Sequence, residues 1–459
     1  MAESKRFVVT YVKQEVTSAS AARTIGVSKT RFHEGMSLLE SDAEYEAKDV
    51  LHFEEIGVTV ATLTEEKAEE LKSAAAVAEV VEDFEVFALG AEAPGMGGGS
   101  FFDNLGSPDS YPQGYWADDV GIQALASDQD TCPPGSRRFC IRLAPWMPPI
   151  CFCLPGAPSP APGPPVPPPS NQPLPWNIKM VGADQVWNRV TGSGVKVAIL
   201  DTGIDDDHPD LTVSGGVSMV PGATSWDDDN GHGTHCAGIV GARNNTTGVV
   251  GVAPGCDLYA VKVLSGAGSG RLSWILAGMG WAEQNGIDVA SMSLGSNVNS
   301  PDAECTLAYQ RAAERLNRAG CLVIAAAGNN GRANNPWVGN PARCAGFMAV
   351  AAVDKNRDLA AFSSQGPASL CGNCGVEISA PGVSINSTVP GGGLGVKSGT
   401  SMACPHVSGA AALLKELHPT WTPDRIRARL RATASDLGAP GDDPGYGSGL
   451  LDCRRAVFG

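Results

Sequence analysis

The residues after about 171 alternate short apolar runs with helix-like segments, and this alternation constrains the fold more than any other feature of the chain. The run at 195–200 is almost entirely apolar, as expected of a strand that is buried on both faces. Strands of this kind joined by helices build a parallel sheet with helices on each side, which is an α/β fold of three layers. The further predicted strands are 258–264, 288–294, 321–327 and 347–353, and the predicted helices include 272–284 and 306–318.

An aspartate directly follows the first of these runs. Ligands of open parallel sheets bind outside the carboxyl ends of the strands, so Asp201 stands where a functional group is expected. A buried carboxylate at this place needs a hydrogen-bonded partner, because burying an unpaired one is costly. Taken alone, Asp201 is equally consistent with an ordinary turn or cap residue.

A histidine and a serine each precede a predicted apolar helix. His232 lies in Asn-Gly-His-Gly-Thr-His, and Ser401 lies in Gly-Thr-Ser-Met-Ala. His232 and His235 suggest a metal site only weakly, because a catalytic zinc needs three ligands and the acidic residue at the usual spacing is absent. Ser401 alone would be taken as a helix cap, although the positive end of the helix would also favour a developing oxyanion.

Considered together, the three residues indicate nucleophilic catalysis. A serine needs a base to take its proton, and a histidine acts as that base in a tautomer fixed by a buried carboxylate. The segments around Asp201, His232 and Ser401 resemble, in order and in composition, the three signature segments of the subtilisin family. The resemblance spans about 172–457. It implies a serine endopeptidase that forms an acyl-enzyme, with Asp201 orienting, His232 as general base and acid, and Ser401 as nucleophile.

Asn329 ends the segment Ala-Ala-Ala-Gly-Asn after another apolar strand. The segment resembles the one that supplies the family's oxyanion asparagine, which implies that the Asn329 side chain and the Ser401 backbone amide bind the tetrahedral intermediate. Losing such a donor typically lowers turnover by about 10²–10³-fold. Without the other motifs, Asn329 would be interpreted as a turn residue.

A substrate-binding edge is also implied by the resemblance. The segment Ser293-Leu294-Gly295 resembles the strand with which the family pairs an extended peptide, and Gly328 and Gly339 would line the pocket next to the scissile bond. We see no charged residue at the matching pocket positions. The expected specificity is therefore broad or for bulky apolar side chains.

A polar loop at 243–249 resembles a family loop that wraps a structural calcium ion. Calcium prefers six to eight oxygen ligands, and backbone carbonyls serve well. The alternative is an ordinary polar loop without metal. The ligands implied by the resemblance are Gln172, Asp210, Asn245 and the carbonyls of Arg243, Thr247 and Val249.

The first 90 residues predict a small α+β module, with strands at 6–14 and 56–63, a helix capped by Thr64, and a last strand at 77–89. They resemble the ferredoxin-like pro-domains of subtilisins, which assist folding and inhibit the enzyme. Residues 91–170 form a Gly-, Pro- and Cys-rich linker or insert, and 171–459 form the catalytic domain. Cleavage is expected near Leu89, near Ser170 or at both, or the pro-region stays attached. The segment 101–153 carries no pattern that we interpret.

Charge and hydropathy exclude several classes of protein. A net charge of −16 predicts a chain that nucleic acid and anionic membranes repel. No apolar run reaches the roughly 18 residues that a membrane helix needs. The first residues lack a signal peptide, which favours a cytoplasmic peptidase, whereas an inhibited precursor favours secretion. We expect a secreted monomer that cleaves protein or peptide substrates.

Thirteen cysteines leave at least one thiol unpaired, and their connectivity cannot be deduced from the sequence. Cys236 and Cys404 lie close to His232 and Ser401, which suggests sensitivity to mercurials, although both also suit small buried apolar positions. Cys371 and Cys374 fit a tight disulfide better than half a zinc site. A latent or non-catalytic binding protein on the same fold is the alternative to an active enzyme.

Overall fold

The computed structural model describes residues 4–34, 50–89, 136–141, 150–155, 172–296, 305–331, 337–366 and 375–459. They belong to two compact units, one made of Met1–Pro94 with Val166–Gly459 and the other of Gly95–Pro165. In the second unit, strands β7 and β8 form an antiparallel hairpin. The Pro-rich part of the predicted linker or insert, at 156–169, lies outside the described residues, and so do Cys371 and Cys374.

The N-terminal part of the first unit is a five-stranded sheet in the order β2-β3-β4-β1-β5. The order β3-β4-β1-β5, with a helix after β1 and another after β4, is the β-α-β-β-α-β arrangement of ferredoxin-like modules. As predicted, Thr64 caps the second helix, since its hydroxyl accepts from Lys67 N at 3.2 Å. The elements up to the hairpin are β1 Ser4–Tyr11, α1 Ser18–Ile25, β2 Phe32–Glu34, β3 Val50–Phe53, β4 Val58–Thr64, α2 Glu65–Lys72, β5 Val77–Glu82, β6 Glu85–Ala88, β7 Ser136–Ile141 and β8 Ile150–Pro155.

The larger part of this unit is built on a seven-stranded parallel sheet in the order β10-β11-β9-β13-β15-β16-β17. The chain continues from β9, the third strand in this order, to one side of the sheet and later returns to the other. The end of β9 is therefore the point where the strand order reverses, which is where such sheets bind ligands. The strands are β9 Lys196–Asp201, β10 Val213–Ser218, β11 Asp257–Lys262, β12 Ser269–Arg271, β13 Val289–Met292, β14 Leu294–Gly295, β15 Leu322–Ala326, β16 Met348–Val353, β17 Ile378–Pro381, β18 Ile385–Val389 and β19 Gly393–Lys397.

Helices cover both faces of this sheet, so the predicted three-layer α/β fold is confirmed. Along β9, Val197 and Ile199 pack into the core on the side of α4 and α7, while Ala198 and Leu200 pack on the side of α5 and α6. No helix in the described ranges is long and apolar enough to cross a bilayer. The helices are α3 Trp176–Met180, α4 His232–Gly241, α5 Leu272–Gln284, α6 Leu307–Arg318, α7 Thr400–Leu417, α8 Pro423–Thr433 and α9 Cys453–Phe458.

The single strand predicted at 77–89 is in fact two strands. β5 belongs to the N-terminal sheet, whereas β6 leaves it and lies between β12 and β14, antiparallel to both. The break falls at Asp83, which is buried and accepts from Ser273 N at 2.9 Å and Ser273 Oγ at 2.8 Å. The pattern of apolar residues continues through the break, because both strands are half-buried, so hydropathy alone does not reveal it.

A disulfide joins Cys305 to Cys344, and the sequence did not predict this pairing. It links the start of α6 to the segment before β16, which are 39 residues apart in the chain. The other cysteines with described side chains are free and buried; these are Cys236, Cys256, Cys321, Cys404 and Cys453.

We predict that replacing both Cys305 and Cys344 by alanine lowers the free energy of unfolding by roughly 2–4 kcal/mol, because the crosslink restricts the unfolded chain. The measurement is urea unfolding in a Ser401→Ala background, which prevents self-digestion. Dithiothreitol should lower the stability of the parent to that of the double variant and leave the double variant unchanged. Equal stability of parent and double variant would contradict the prediction.

Candidate active site

Asp201 and His232 meet at the end of β9. His232 Nδ1 lies 2.7 Å from Asp201 Oδ1, and both side chains are fully buried. Burial lowers the pKa of His232, but the charge and hydrogen bond of Asp201, with a smaller effect of Cys236, outweigh it and leave the pKa well above its ordinary value. The second ring nitrogen, Nε2, has no hydrogen-bond partner among the described residues, so no described protein group competes for proton exchange at this atom.

A second buried carboxylate, Asp228, orients this pair. Asp228 Oδ1 accepts from Thr202 Oγ1 at 2.8 Å and from Gly231 N at 2.8 Å, and Oδ2 accepts from Thr234 N at 2.9 Å. Burial raises the pKa of Asp228, but the hydrogen bonds from Gly231, Thr234 and Asn230 lower it further than burial raises it. Asp228 thus accepts hydrogen bonds from backbone N–H groups at the start of α4, the helix that carries His232. It also links this helix to Thr202, the neighbour of Asp201.

Ser401 lies in the first turn of α7, where backbone N–H groups have no partners within the helix. Its hydroxyl donates to the carbonyl of Ser293 at 3.1 Å, and the hydroxyl of Ser293 donates to the carbonyl of Ser401 at 2.8 Å. The end of β13 and the start of α7 are thereby held together. The hydroxyl of Ser401 is not hydrogen-bonded to His232 in this structure, so the expected contact between them requires the serine side chain to rotate.

Asn329 follows β15 and faces the start of α7. Its side-chain oxygen accepts from Thr400 N at 2.9 Å and from Thr400 Oγ1 at 3.0 Å. The hydroxyl of Thr400 in turn accepts from Gly328 N at 3.1 Å. With its oxygen engaged in this way, the Asn329 amide has Nδ2 left to donate next to Ser401.

The predicted substrate-binding edge carries a strand in this structure. β6 pairs with β14, opposing Ala88 to Leu294 and Phe87 to Gly295. Leu89 N then donates to the carbonyl of Ser293 at 3.2 Å. A peptide segment therefore already lies along the edge that the sequence assigned to substrate.

The strand on the other side of this groove was not predicted from the sequence. β12 pairs with β6 from the opposite side, and Gly268 accepts from Ala88 N at 2.9 Å.

Asp228, Thr202 and Thr400 were missed as well. Their signal is weak, because short polar residues next to a motif are common, and only tertiary hydrogen bonds distinguish these.

Gly328 and Gly339 are neighbours, as the predicted pocket requires. Gly339 N donates to the carbonyl of Ala327 at 3.1 Å, and a Cβ placed on Gly328 would lie 3.9 Å from Gly339 N. Gly328 has a φ of 114°, which side-chain-bearing residues rarely adopt. The side chain of Leu89 lies against Gly295, where an added Cβ would approach it to 3.0 Å.

The six predicted calcium ligands also come together. The carbonyls of Thr247 and Val249 both accept from the side-chain nitrogen of Gln172, so the two oxygens converge on one point. Asp210 accepts from Asn245 Nδ2 and from Val249 N, each at 2.8 Å. Arg243 contributes its backbone, since its N–H donates to the carbonyl of Asp210 at 3.0 Å and its carbonyl accepts from Asn245 N at 3.0 Å.

This loop has the chemistry of a calcium site. Each predicted ligand carries an oxygen, although the Gln172 and Asn245 amides would have to turn to present theirs, and Asp210 has no lysine or arginine salt bridge in the described part of the chain. Burial raises the pKa of Asp210. A side chain at Gly248 would come within 2.2 Å of Asp210 Oδ2, so glycine is needed for the loop to wrap this closely. The residues present therefore fit a calcium ion.

Cys236 is buried directly beneath the Asp201–His232 pair. Its Sγ lies 3.9 Å from His232 Nδ1 and 3.5 Å from the carbonyl of Ser401. Burial raises the pKa of this thiol, so it is protonated at neutral pH. Asp201, His232 and Cys236 nevertheless offer ligand atoms within 4.8 Å of one another, a set that a thiol-seeking metal can bind.

Comparison with known proteins identifies the family. The family model described as Subtilase family matches residues 192–449. This chain belongs to the subtilase family. It is 49% identical over 287 residues to Subtilisin Savinase of Lederbergia lenta, covering 62% of this chain and 99% of that protein. It is 47% identical over 288 residues to a Thermostable alkaline protease of Halalkalibacterium halodurans, covering 62% and 74%.

A similar match is found with Subtilisin E of Bacillus subtilis, at 45% identity over 289 residues, covering 62% of this chain and 72% of the relative. Family membership establishes that the subtilase described here is a subtilisin-type serine endopeptidase, a hydrolase. The expected family and enzyme class are thus confirmed.

We predict that a mercurial inhibits this subtilase through Cys236, because a metal on Sγ would contact the His232 ring and displace it. Inhibition of casein hydrolysis by mercuric chloride should be lost in Cys236→Ala. Cys256→Ala is the matched control, since Cys256 is also a free, buried cysteine, and it should stay sensitive. Resistance that appears only when Cys404 is replaced would contradict the prediction.

Proposed function

We propose that Asp201, His232 and Ser401 are the catalytic triad of this endopeptidase and that residues 1–90 are its inhibitory pro-domain. One observation carries the proposal. The carbonyl of Ser293 accepts from both Leu89 N and Ser401 Oγ, at 3.2 and 3.1 Å. Both groups donate to the same oxygen, which supports a substrate-like position for Leu89 beside the proposed nucleophile.

The geometry supports an acyl-enzyme mechanism. Ser401 Oγ attacks the peptide carbonyl while His232 Nε2 takes its proton, and Asp201 stabilises the resulting imidazolium. Asn329 Nδ2 and Ser401 N donate to the oxyanion. The C–N bond then breaks, and Nε2 returns the proton to the leaving amine. Water then attacks the ester while Nε2 takes its proton, and as the ester C–O bond breaks Nε2 returns this proton to Ser401 Oγ.

Substrate specificity follows from the groove between β12 and β14. An extended peptide there gains backbone hydrogen bonds on both edges, as β6 does, and these do not depend on its sequence. The residue before the scissile bond would lie where Leu89 lies, against Gly295 and near Gly328 and Gly339. An apolar, unbranched or branched aliphatic side chain suits this glycine-lined surface, which supports broad or bulky apolar specificity.

The N-terminal module is docked by residues that complete two helices of the catalytic domain. Neither α5 nor α6 has a side-chain cap from its own N-cap residue. Asp83 supplies the missing acceptor to Ser273 N in α5, at 2.9 Å, and Glu79 supplies it to Leu307 N in α6, at 3.0 Å. Both acids come from the module, so it stabilises helices that the catalytic domain leaves uncapped.

Arg311 adds a third contact from α6. The residue is buried, and its guanidinium donates to the carbonyls of Val12, Lys13 and Ile56 at 3.1–3.3 Å. Burying a cation without its acceptors would be costly, so these bonds favour the docked module. A module that caps helices and fills the substrate groove both assists folding and blocks activity, as proposed for a pro-domain.

A latent state is the second candidate. Asp201, His232 and Ser401 are all fully buried here, which favours an enzyme that stays inactive until the module is removed.

An inhibited precursor suits a secreted protease, and we propose an extracellular, monomeric mature enzyme. We place the maturation cleavage at the peptide bond that follows Leu89.

We predict that the wild-type chain cleaves itself after Leu89 and digests casein, while Ser401→Ala stays at full length and is inactive. Intact mass and N-terminal sequencing measure the cleavage, and released peptides measure the activity. Ser408→Ala is a matched control, because Ser408 is a buried serine of the same helix that lies away from the proposed chemistry. It should process normally.

Two outcomes would contradict parts of this proposal. If wild type stays at full length without activity, even after an added protease has removed the module, the triad assignment is wrong. If wild type is active but its new N-terminus lies near residue 170 alone, the triad stands and the proposed cleavage site is wrong.

We further propose that Gln172, Asp210, Asn245 and the carbonyls of Arg243, Thr247 and Val249 hold a structural calcium ion. Bound there, the ion would crosslink the segment at Gln172 to the loop after α4. It would neutralise the buried Asp210 carboxylate, which has a hydrogen-bonded but not an ionic partner in the described structure. The role is stability, because the chemistry uses other residues.

We predict that EDTA lowers the melting temperature of Ser401→Ala by roughly 5–10 °C, since a ligand at about 100 times its Kd stabilises by about 2.7 kcal/mol. Added calcium should restore it, and magnesium should not. In an Asp210→Ala background the chelator should have little effect, whereas Asp206→Ala, which removes an exposed acid, should respond like the parent. An unchanged melting temperature with EDTA in the parent would contradict the site.

A further inference from the structure

Helix α8 has four arginines, one at every second position from Arg425 to Arg431. The arginines on one face of the helix have different hydrogen-bond partners from those on the other face. Arg427 donates to both carboxylate oxygens of Glu377, with Nε at 2.7 Å from Oε2, and Arg431 lies 3.3 Å from an Asp442 oxygen. Arg425 and Arg429 are also four residues apart and therefore share another face. Neither forms a salt bridge to an aspartate or a glutamate within the described ranges.

Arg425 and Arg429 line a cavity of about 560 Å³ together with Arg189. Trp421 forms part of the wall: the His418 ring stacks on it at 3.7 Å, and the guanidinium of Arg425 lies 4.4 Å from its ring centre. The remaining lining is mostly apolar, from Leu417, Ala428, Ala432 and Val457. The cavity therefore combines cationic groups at its edge with aromatic and aliphatic walls.

The electrostatics of the cavity call for an anion. The chain as a whole has a net charge of −16, yet three arginines that form no salt bridge to a described aspartate or glutamate line this cavity. Burial first, and then the charges of Arg425, Arg429 and Arg189, lower the pKa of His418. The three arginines and His418 line the same cavity, so a bound anion there would be near all of them.

One of these guanidiniums is already held in place. Arg429 Nε donates to the carbonyl of Ala456 at 2.8 Å, and Nη2 donates to the carbonyls of Arg455, at 3.2 Å, and Gly459. The peptide carbonyls of Ala456 and Arg455 orient the group without neutralising its charge, and the third oxygen belongs to Gly459, the final residue of the sequence. A guanidinium that is fixed beforehand loses less conformational freedom when it binds an anion.

We propose that this cavity is a binding site for a carboxylate that carries an apolar or aromatic group. The guanidiniums of Arg189, Arg425 and Arg429 suit a planar carboxylate, with which arginine forms paired hydrogen bonds. The apolar walls would hold the attached group, and the volume suits a small molecule or a single residue.

The site is separate from the proposed chemistry. Leu417 and His418 stand at the end of α7, and Ser401 stands at its start. At a rise of about 1.5 Å per residue, the 18 residues of this helix span about 27 Å. The inference therefore does not depend on the proposed triad or pro-domain.

Two sources supply this ligand chemistry. One is a free amphiphilic acid, and the other is the C-terminal carboxylate of a peptide that ends in an apolar residue, which peptide hydrolysis itself releases. The probes 4-phenylbutyrate and N-acetyl-phenylalanine represent the two. The neutral 4-phenylbutanamide is the control, because it keeps the apolar group and loses the charge.

The experiment is isothermal titration of each probe into the full-length Ser401→Ala chain. We expect one site, at least about tenfold weaker binding of the amide than of 4-phenylbutyrate, and weaker binding as salt is raised. Tighter binding of N-acetyl-phenylalanine identifies a peptide end, and tighter binding of 4-phenylbutyrate identifies a free acid. Absence of binding by both acids, or equal binding of acid and amide, would overturn the proposal.

Variants locate the site. Arg425→Gln with Arg429→Gln should weaken binding of the acid by about tenfold or more, because each lost charged hydrogen bond contributes substantially. Arg318→Gln removes an exposed arginine outside the cavity and should bind like the parent. If the double variant does not fold, Arg189→Gln tests the same cavity from an exposed position outside α8. Unchanged affinity in Arg189→Gln and in the double variant would overturn the assignment.

Discussion

The buried carboxylate of Asp201 is the constraint around which this part of the molecule is organised. It lies at the end of β9, where an unpaired buried charge would be costly, and its hydrogen bond to His232 offsets that cost. His232 reaches it only because Asp228 holds the first turn of α4 against Thr202. A parallel sheet with a switch point supplies the cleft, and these two buried acids hold its polar groups in place.

The N-terminal module and the catalytic domain are complementary in charge and in hydrogen bonding. Two helices of the catalytic domain begin without a cap of their own, and two acids of the module complete them, while Arg311 returns a cation to carbonyls of the module. The linking strand β6 fills the groove between β12 and β14. The proposed folding assistance and the proposed inhibition then have one structural origin, because the same contacts serve both.

The basic cavity at the end of α7 is lined by arginines from one face of α8. Arg427 is engaged by Glu377, whereas Arg425 and Arg429 face a space with aromatic and aliphatic walls. These cations lie at the opposite end of α7 from Ser401, so the proposed ligand site is separate from peptide hydrolysis.

The sequence by itself determined the parallel sheet, the order of Asp201, His232 and Ser401, and the family, because buried strands and motifs at strand ends are written in local patterns. It did not reveal the break of the strand at Asp83, the Cys305–Cys344 pairing, or the role of Asp228. Each of these depends on residues far apart in the chain, and hydropathy carries no information about which distant groups will meet. The tertiary structure decided them, since a buried acid or thiol is explained only by the partner that packing brings to it.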